Sequence, residues 1–329
     1  MTTDRRRIIT PGVAAPGLAP RLGETIDSRR GVAYRAMRAA SLVNRSTDQP
    51  RLFGFTVNPY RGCEMGCRYC YARYTHEFLG LGAPGAFERI IYVKRIDAGR
   101  LLGELTRARR SGLTVAIGTA TDPYQPAEAR FRVARSVLEA ARRVPGLSLS
   151  ITTKGTLVTR DLDLLQAIGR QSALSVNFSL TTVDARLARR LEPRAPRPDL
   201  RLGAMRALAE AGVATRLFVK PILPFLTEGE DNIRSLLVEG GRAGARAAGW
   251  NVLFLRDPTR SAFFAFLAAE FPRLVGRYRR LYAGSPYARP EYVAEVEARV
   301  RRLAAEVGMP MRSREERTAE GPAQLALVW

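Results

Sequence analysis

The chain has 329 residues, 46% of them hydrophobic, with 53 Lys and Arg against 31 Asp and Glu for a formal charge of +22. That size and apolar content are those of a globular protein with one large α/β domain or two small ones. No run of about eighteen uncharged apolar residues occurs, and Arg5-Arg6-Arg7 is followed by no apolar core or small-residue cleavage site, so the reading is a cytoplasmic protein with no membrane span and no secretory signal.

Residues 1–50 are polar, rich in Pro, Gly and Arg, and lack sustained periodicity; they read as a basic, extended N-terminal arm with a short helix around Tyr34–Leu42. From Phe53 onward short apolar runs alternate with amphipathic stretches. Strands are expected at Phe53–Val57, Thr114–Ile117, Leu147–Thr152, Ser175–Leu180, Thr215–Val219 and Trp250–Phe254. Helices are expected at Ala98–Arg110, Ala127–Arg143, Thr159–Gly169, Val183–Leu191, Asp199–Ala211 and Glu230–Ala248, several followed by a glycine suited to a left-handed C-terminal cap. This α/β alternation predicts a parallel sheet, and six units make a partial (β/α)6 barrel of the TIM type over residues 51–258. Residues 259–329 read as a C-terminal helical extension packed on the barrel, with helices Ser261–Tyr282 and Pro290–Val307, a polar stretch and a final Leu325–Trp329. In a parallel barrel the reactive groups gather at the C-terminal ends of the strands. That places the segment after Val57, the loop Gly118–Glu128, Lys154, Ser179 and Lys220 on one face.

The positive charge invites a nucleic-acid partner, but the basic residues are scattered rather than gathered into a run, so an arginine-rich solvated surface explains them about as well. Only Lys94, Lys154 and Lys220 are lysine, and each ends a strand-like run, where a compact ammonium has a use that a guanidinium does not. All three cysteines lie within eight residues, as Cys63, Cys67 and Cys70. A disulfide framework needs an even number of dispersed cysteines, so three thiols in one glycine-bearing loop point to a metal site. Three thiolates can hold three corners of an iron–sulfur cube and leave the fourth iron open to a small molecule. The competing reading is structural zinc with His76, the sole histidine, as fourth ligand; structural zinc draws its ligands from two separate knuckles, which disfavours it.

The spacing C-x3-C-x2-C with Tyr69 before the last cysteine resembles the signature of the radical SAM superfamily. The resemblance implies a [4Fe-4S] cluster on Cys63, Cys67 and Cys70, S-adenosylmethionine chelated at the open iron, and one-electron cleavage to a 5′-deoxyadenosyl radical. It also implies an electron donor of the flavodoxin or ferredoxin type. A closer match, from Phe53 to Pro258, is to the spore photoproduct lyase-like branch. It rests on Asn58-Pro59-Tyr60-Arg61-Gly62-Cys63, on Gly118-Thr119-Ala120-Thr121-Asp122-Pro123-Tyr124-Gln125-Pro126-Ala127-Glu128, on Thr153-Lys154-Gly155, and on Glu192-Pro193-Arg194-Ala195-Pro196. That resemblance implies that Thr121 meets the methionine end of the cofactor, Lys154 its carboxylate and Ser179 its ribose, with Tyr69 and Asp122 as further cofactor-binding candidates. Asp122 and Glu128 have a plainer reading as loop caps. Where the lyase carries a hydrogen-returning cysteine this chain has Thr119, and no cysteine remains outside the loop. Tyr124 is the remaining candidate donor.

The function so expected is hydrogen abstraction from a substrate, with nucleic acid favoured by charge and resemblance. A flipped-out base or sugar would then reach the barrel interior. A non-catalytic zinc- or cluster-containing nucleic-acid-binding protein is the alternative, but it has no use for Thr121, Lys154 and Ser179 at strand ends. An ordinary methyltransferase predicts a Gly-rich loop where the cysteines stand.

Overall fold

The computed structural model describes residues 22–46 and 53–311; the first part of the expected arm and Leu325–Trp329 lie outside them. The described chain opens with a hairpin. Strands β1 (Leu22–Arg29) and β2 (Val32–Arg38) pair antiparallel about Arg30 and Gly31, both left-handed (φ 49° and 76°), as a primed two-residue turn requires. The helix expected around Tyr34–Leu42 is therefore a strand. Val32 and Tyr34 alternate with less buried neighbours and pack beside Ile91 and Val93, and this period of two overrides the local preference.

The remaining strands are β3 (Val43–Arg45), β4 (Phe55–Val57), β5 (Tyr60–Arg61), β6 (Ile90–Arg95), β7 (Val115–Ile117), β8 (Ser148–Thr153), β9 (Ala173–Ser179), β10 (Thr215–Ile222) and β11 (Ala245–Val252). The larger sheet has the order β11-β10-β9-β8-β7-β4-β3. Its six strands from β4 to β11 are parallel, with β3 antiparallel on the β4 edge. These are the six strands expected, shifted at most a few residues, with β11 beginning earlier. The smaller sheet, β1-β2-β6-β5, lies outside that expectation except for the strand-like run ending at Lys94.

Side-chain alternation assigns the two faces of the large sheet. In β8, Leu149 and Ile151 are buried, while the less buried Ser148, Ser150 and Thr152 alternate with them and line a cavity. Helix Ala98–Arg110 matches its expected span: Asp97 accepts from Arg100 N at 2.7 Å as its N-cap, and Leu101, Leu105 and Ala108 form its buried stripe. The span Ala127–Arg143 is two helices, Glu128–Phe131 and Val133–Arg142, because Arg132 turns left-handed at φ 51°. The span Glu230–Ala248 ends as a helix at Arg242; Gly244 (φ 82°) reverses the chain and β11 follows. The last expected pair appears as Thr259–Glu270, Val275–Leu281 and Pro290–Glu306, the first break falling at Pro272. Tyr278 and Tyr282 stack at 5.9 Å and donate to Pro224 O and Leu253 O, which fastens these helices beside the ends of β10 and β11.

Candidate active site

A cavity of about 550 Å³ runs along the inner face of β7 to β11, from Thr114 and Ser148 at one end to Asp122 and Lys154 at the other. Its wall brings together Cys63, Cys67 and Cys70 with Tyr69, Thr121, Asp122, Lys154, Ser179 and Lys220. Among the candidate residues, Tyr124, Glu128 and His76 are not part of this wall.

The cysteine loop follows β5, and its shape is fixed by its backbone. Gly62 sits at φ 87°, where a Cβ would lie 2.7 Å from Ile90 O and 2.9 Å from Phe87 O. Gly62→Ala is expected to cost about 1–3 kcal/mol in backbone strain. It should lower the iron content after reconstitution, measured against a thermal-unfolding control. On one side the loop is held from the segment after β7. Thr121 Oγ1 donates to Gly62 O at 2.6 Å, while Gln125 Nε2 donates to Gly62 O at 3.1 Å and to Thr121 Oγ1 at 2.9 Å. Glu64 N in turn donates to Gln125 Oε1 at 2.9 Å. Gln125 is wholly buried, and its part was missed in the sequence although it stands inside a quoted motif.

On the other side the loop is clasped by Glu192-Pro193-Arg194. Arg68 N donates to Leu191 O, Arg194 N to Met65 O, and the Tyr69 hydroxyl to Glu192 Oε1. Glu192 also meets Arg201 (Oε2 to Nη2, 2.5 Å) and Lys154 Nζ at 3.9 Å; Glu192 and Arg201 are each 1% exposed. Arg201 spends its other donors on Pro196 O and Ser179 O. Burial pushes the Glu192 carboxyl up, but the attraction of Arg201 and then Lys154 outweighs it, so the net shift is downward. Lys154 shifts the other way and is raised: burial opposes its charge, and Cys67 and Glu192 more than restore it. Its Nζ donates to Ser179 Oγ at 3.1 Å, and that hydroxyl donates to Lys220 O at 2.8 Å. One connected network therefore joins Tyr69 to Lys154 and Ser179, and Arg201 is the member that sequence reading did not find.

Asp122 has both oxygens engaged within its own neighbourhood, by Tyr124 N and Thr153 Oγ1 on one and Lys154 N on the other. This matches the plainer capping reading, and the cap positions Lys154. Glu128 caps helix Val133–Arg142 through Ala134 N and Arg135 N, and binds Tyr60 and Arg160. Tyr124 is 3% exposed and is not among the residues that line the cavity; its carbonyl and Cβ lie against Gly155. The phenols that do line the cavity are Tyr69 and Tyr71, and the Tyr71 hydroxyl donates to Thr119 O.

His76 is buried between Phe87 and Tyr92, with Nε2 against Ile90 O at 2.9 Å. Burial lowers its pKa from 6.5 to about 4. The unfolded chain then binds the extra proton between those values, so the stability His76 contributes is complete above pH 6.5 and is lost as pH falls toward 4. A slope of up to about 1.4 kcal/mol per pH unit is expected in denaturant titrations between pH 6 and 5, and His76→Gln should flatten it.

The chain matches the radical SAM superfamily over residues 57–237. It belongs to that superfamily. It is 38% identical over 299 residues to an uncharacterised protein of Mycobacterium bovis, covering 91% of this chain and 87% of that one. An uncharacterised protein of Methanocaldococcus jannaschii is 29% identical over 176 residues, 54% of this chain and 63% of its own length. Among solved structures, a spore photoproduct lyase variant superposes with a TM-score of 0.65 at 19% identity, over 84% of this chain and 81% of that one. Streptococcus suis SuiB bound to precursor peptide SuiA superposes with a TM-score of 0.51 at 14% identity, over 80% and 49%. These two share its fold. The chain is thus a radical SAM enzyme, of a class that binds a [4Fe-4S] cluster and S-adenosylmethionine and takes an electron from a donor. No helix among the described residues is long and apolar enough to cross a membrane.

The chemistry of the donor set fits such a cluster. Burial pushes the Cys67 thiol up to about 12, with Lys154 opposing, and raises Cys63 and Cys70, whose charges also repel one another. Cationic iron reverses that balance by making the thiolate the favoured form. Among the described residues no three His, Cys, Asp or Glu side chains converge tightly enough for a single ion. A cubane cluster takes its thiolates at separate corners and does not require the three to converge on one ion.

Proposed function

We propose that Cys63, Cys67 and Cys70 hold the cluster and that the cavity beside them binds S-adenosylmethionine for hydrogen abstraction from a substrate seated in the barrel. The observation that carries this reading is the convergence on one cavity wall of three thiols from one loop with Lys154 and Ser179 from neighbouring strand ends. When bound, the cluster supplies one electron for reductive cleavage of S-adenosylmethionine.

The chain's own residues aim and shelter that reaction. Lys154, held charged by Glu192 and placed by Asp122, offers a point charge to the cofactor carboxylate. Ser179 offers a hydroxyl to the ribose. Thr121 and Tyr69 act by fixing the cysteine loop, because their hydroxyls are already spent on Gly62 O and Glu192. The wall residues Met65, Phe218 and Phe254 exclude water. A threonine O–H is a poor hydrogen-atom donor, so the likeness to the lyase does not extend to repair through the position of Thr119. Nucleic acid remains the favoured substrate class because of the charge and because one superposed lyase structure holds a dinucleoside spore photoproduct.

The test is made on anaerobically reconstituted protein: iron and sulfide are counted, then dithionite and S-adenosylmethionine are added and 5′-deoxyadenosine is measured. Iron near four per chain with 5′-deoxyadenosine formed supports the reading; zinc without cleavage ends it. Lys154→Ala is expected to leave iron unchanged and weaken S-adenosylmethionine binding roughly tenfold or more, as loss of a charged hydrogen bond does. Unchanged affinity in equilibrium dialysis would remove Lys154 from the site.

A further inference from the structure

The inner positions of a parallel barrel are ordinarily filled by Val, Ile and Leu in closely packed layers. Here several of those on β8 and β9 are small and polar. Ser148, Ser150 and Thr152 of β8 and Ser175 of β9 line the cavity below the level of Lys154. Into this hydroxyl-lined floor β10 projects Arg216, the cavity's third cation beside Lys154 and Lys220.

Arg216 has neither a hydrogen-bond nor an ion-pair partner among the described residues. Its register partner on β9 is Asn177, wholly buried, whose amide donates to Ser150 Oγ at 2.9 Å and Ile151 O at 3.0 Å while its Oδ1 has no donor. Among the described residues the one carboxylate on the cavity wall is Asp122, and both its oxygens are taken. Arg216 is half-buried at the cavity wall, and the planar fork of a guanidinium matches an oxyanion.

We propose that the barrel floor is an anion subsite in which Arg216, flanked by the serine hydroxyls, receives a phosphate group of a nucleotide-sized substrate. The proposal rests on the cavity being the active site, and it makes Arg216 a specificity-determining residue rather than a cofactor ligand. A phosphate anchored at the floor holds the rest of the substrate upward, toward the level of the cysteine loop.

The experiment uses reconstituted full-length protein and inorganic phosphate as the probe, in equilibrium dialysis at a salt concentration that screens exposed arginines. Wild type is expected to show one saturable site. Arg216→Gln should weaken it at least tenfold and Arg216→Lys less, while Arg170→Gln, an exposed arginine elsewhere, leaves it unchanged. Iron content and substrate-free 5′-deoxyadenosine formation should be the same in all four proteins. Absence of a saturable site in wild type, equal binding in Arg216→Gln, or loss of iron or cleavage in that variant would each overturn the proposal; acetate displacing phosphate at equal concentration would assign the subsite to carboxylates instead and overturn it as well. If wild type binds phosphate at Arg216 but holds no iron, the cluster reading fails and the anion subsite stands.

Discussion

Cys67→Ala is expected to reduce iron after reconstitution from about four per chain to less than one, and to abolish 5′-deoxyadenosine formation. Two remaining thiols cannot hold a cube whose fourth corner is already open to the cofactor. The loop itself should survive the change, because its position does not depend on the thiol: Arg73 donates to Cys67 O, Cys70 N returns to the same oxygen, and Arg68 N is tied to Leu191 O. Secondary structure by circular dichroism and the thermal midpoint of the cluster-free protein should therefore match wild type. That combination separates loss of a ligand from loss of fold. An iron content equal to wild type would withdraw the assignment of all three cysteines, since Cys63 and Cys70 rest on the same argument.

The parallel sheet was readable because short strand-forming runs alternate with helical stretches, and one of them, Val115–Ile117, is apolar and buried throughout. Tyr34–Leu42 was misread because the period of two is short, running from Val32 to Tyr34, and β6, the second partner of β2 beside the β1 hairpin, lies more than fifty residues downstream. The cysteine loop and Lys154 were legible from spacing and from the rarity of lysine. The roles of Thr121 and Asp122 were not, since a side chain that meets a cofactor and one that caps a loop obey the same local chemistry. In the structure Thr121 Oγ1 donates to Gly62 O, and Asp122 accepts from Tyr124 N, Thr153 Oγ1 and Lys154 N. Arg201 was invisible for a related reason. It lies in a helix otherwise rich in arginine-compatible surface positions, and only the fold brings it against Glu192.

Glu192→Ala is expected to destabilise the protein strongly. The carboxylate is buried among Arg201, Lys154 and the Tyr69 hydroxyl, and removing it leaves Arg201 charged, 1% exposed and short of its partner. Breaking one side of a buried pair costs about 3–5 kcal/mol. The same change releases Tyr69, so the cysteine loop loses an anchor and iron should be retained less firmly, seen as faster loss to a chelator. Arg201→Met alone should also destabilise, through the stranded carboxylate. The double variant Glu192→Met with Arg201→Met should recover much of the loss, because neither charge is then buried alone. Stability regained without firmer iron retention would show that the pair serves the loop through Tyr69 and not merely through the core. The pH dependence has a definite sign. Glu192 has a folded pKa below its ordinary 4.5, so its contribution is present above that value and is lost as pH falls through the folded one. Glu192→Gln, which keeps the shape but not the charge, should therefore be destabilised relative to wild type at pH 7, and the difference should shrink as acid protonates the wild-type carboxylate. A difference constant down to pH 3 would mean that the charge of Glu192 contributes nothing and that its hydrogen bonds to Tyr69 and Arg201 act through geometry alone.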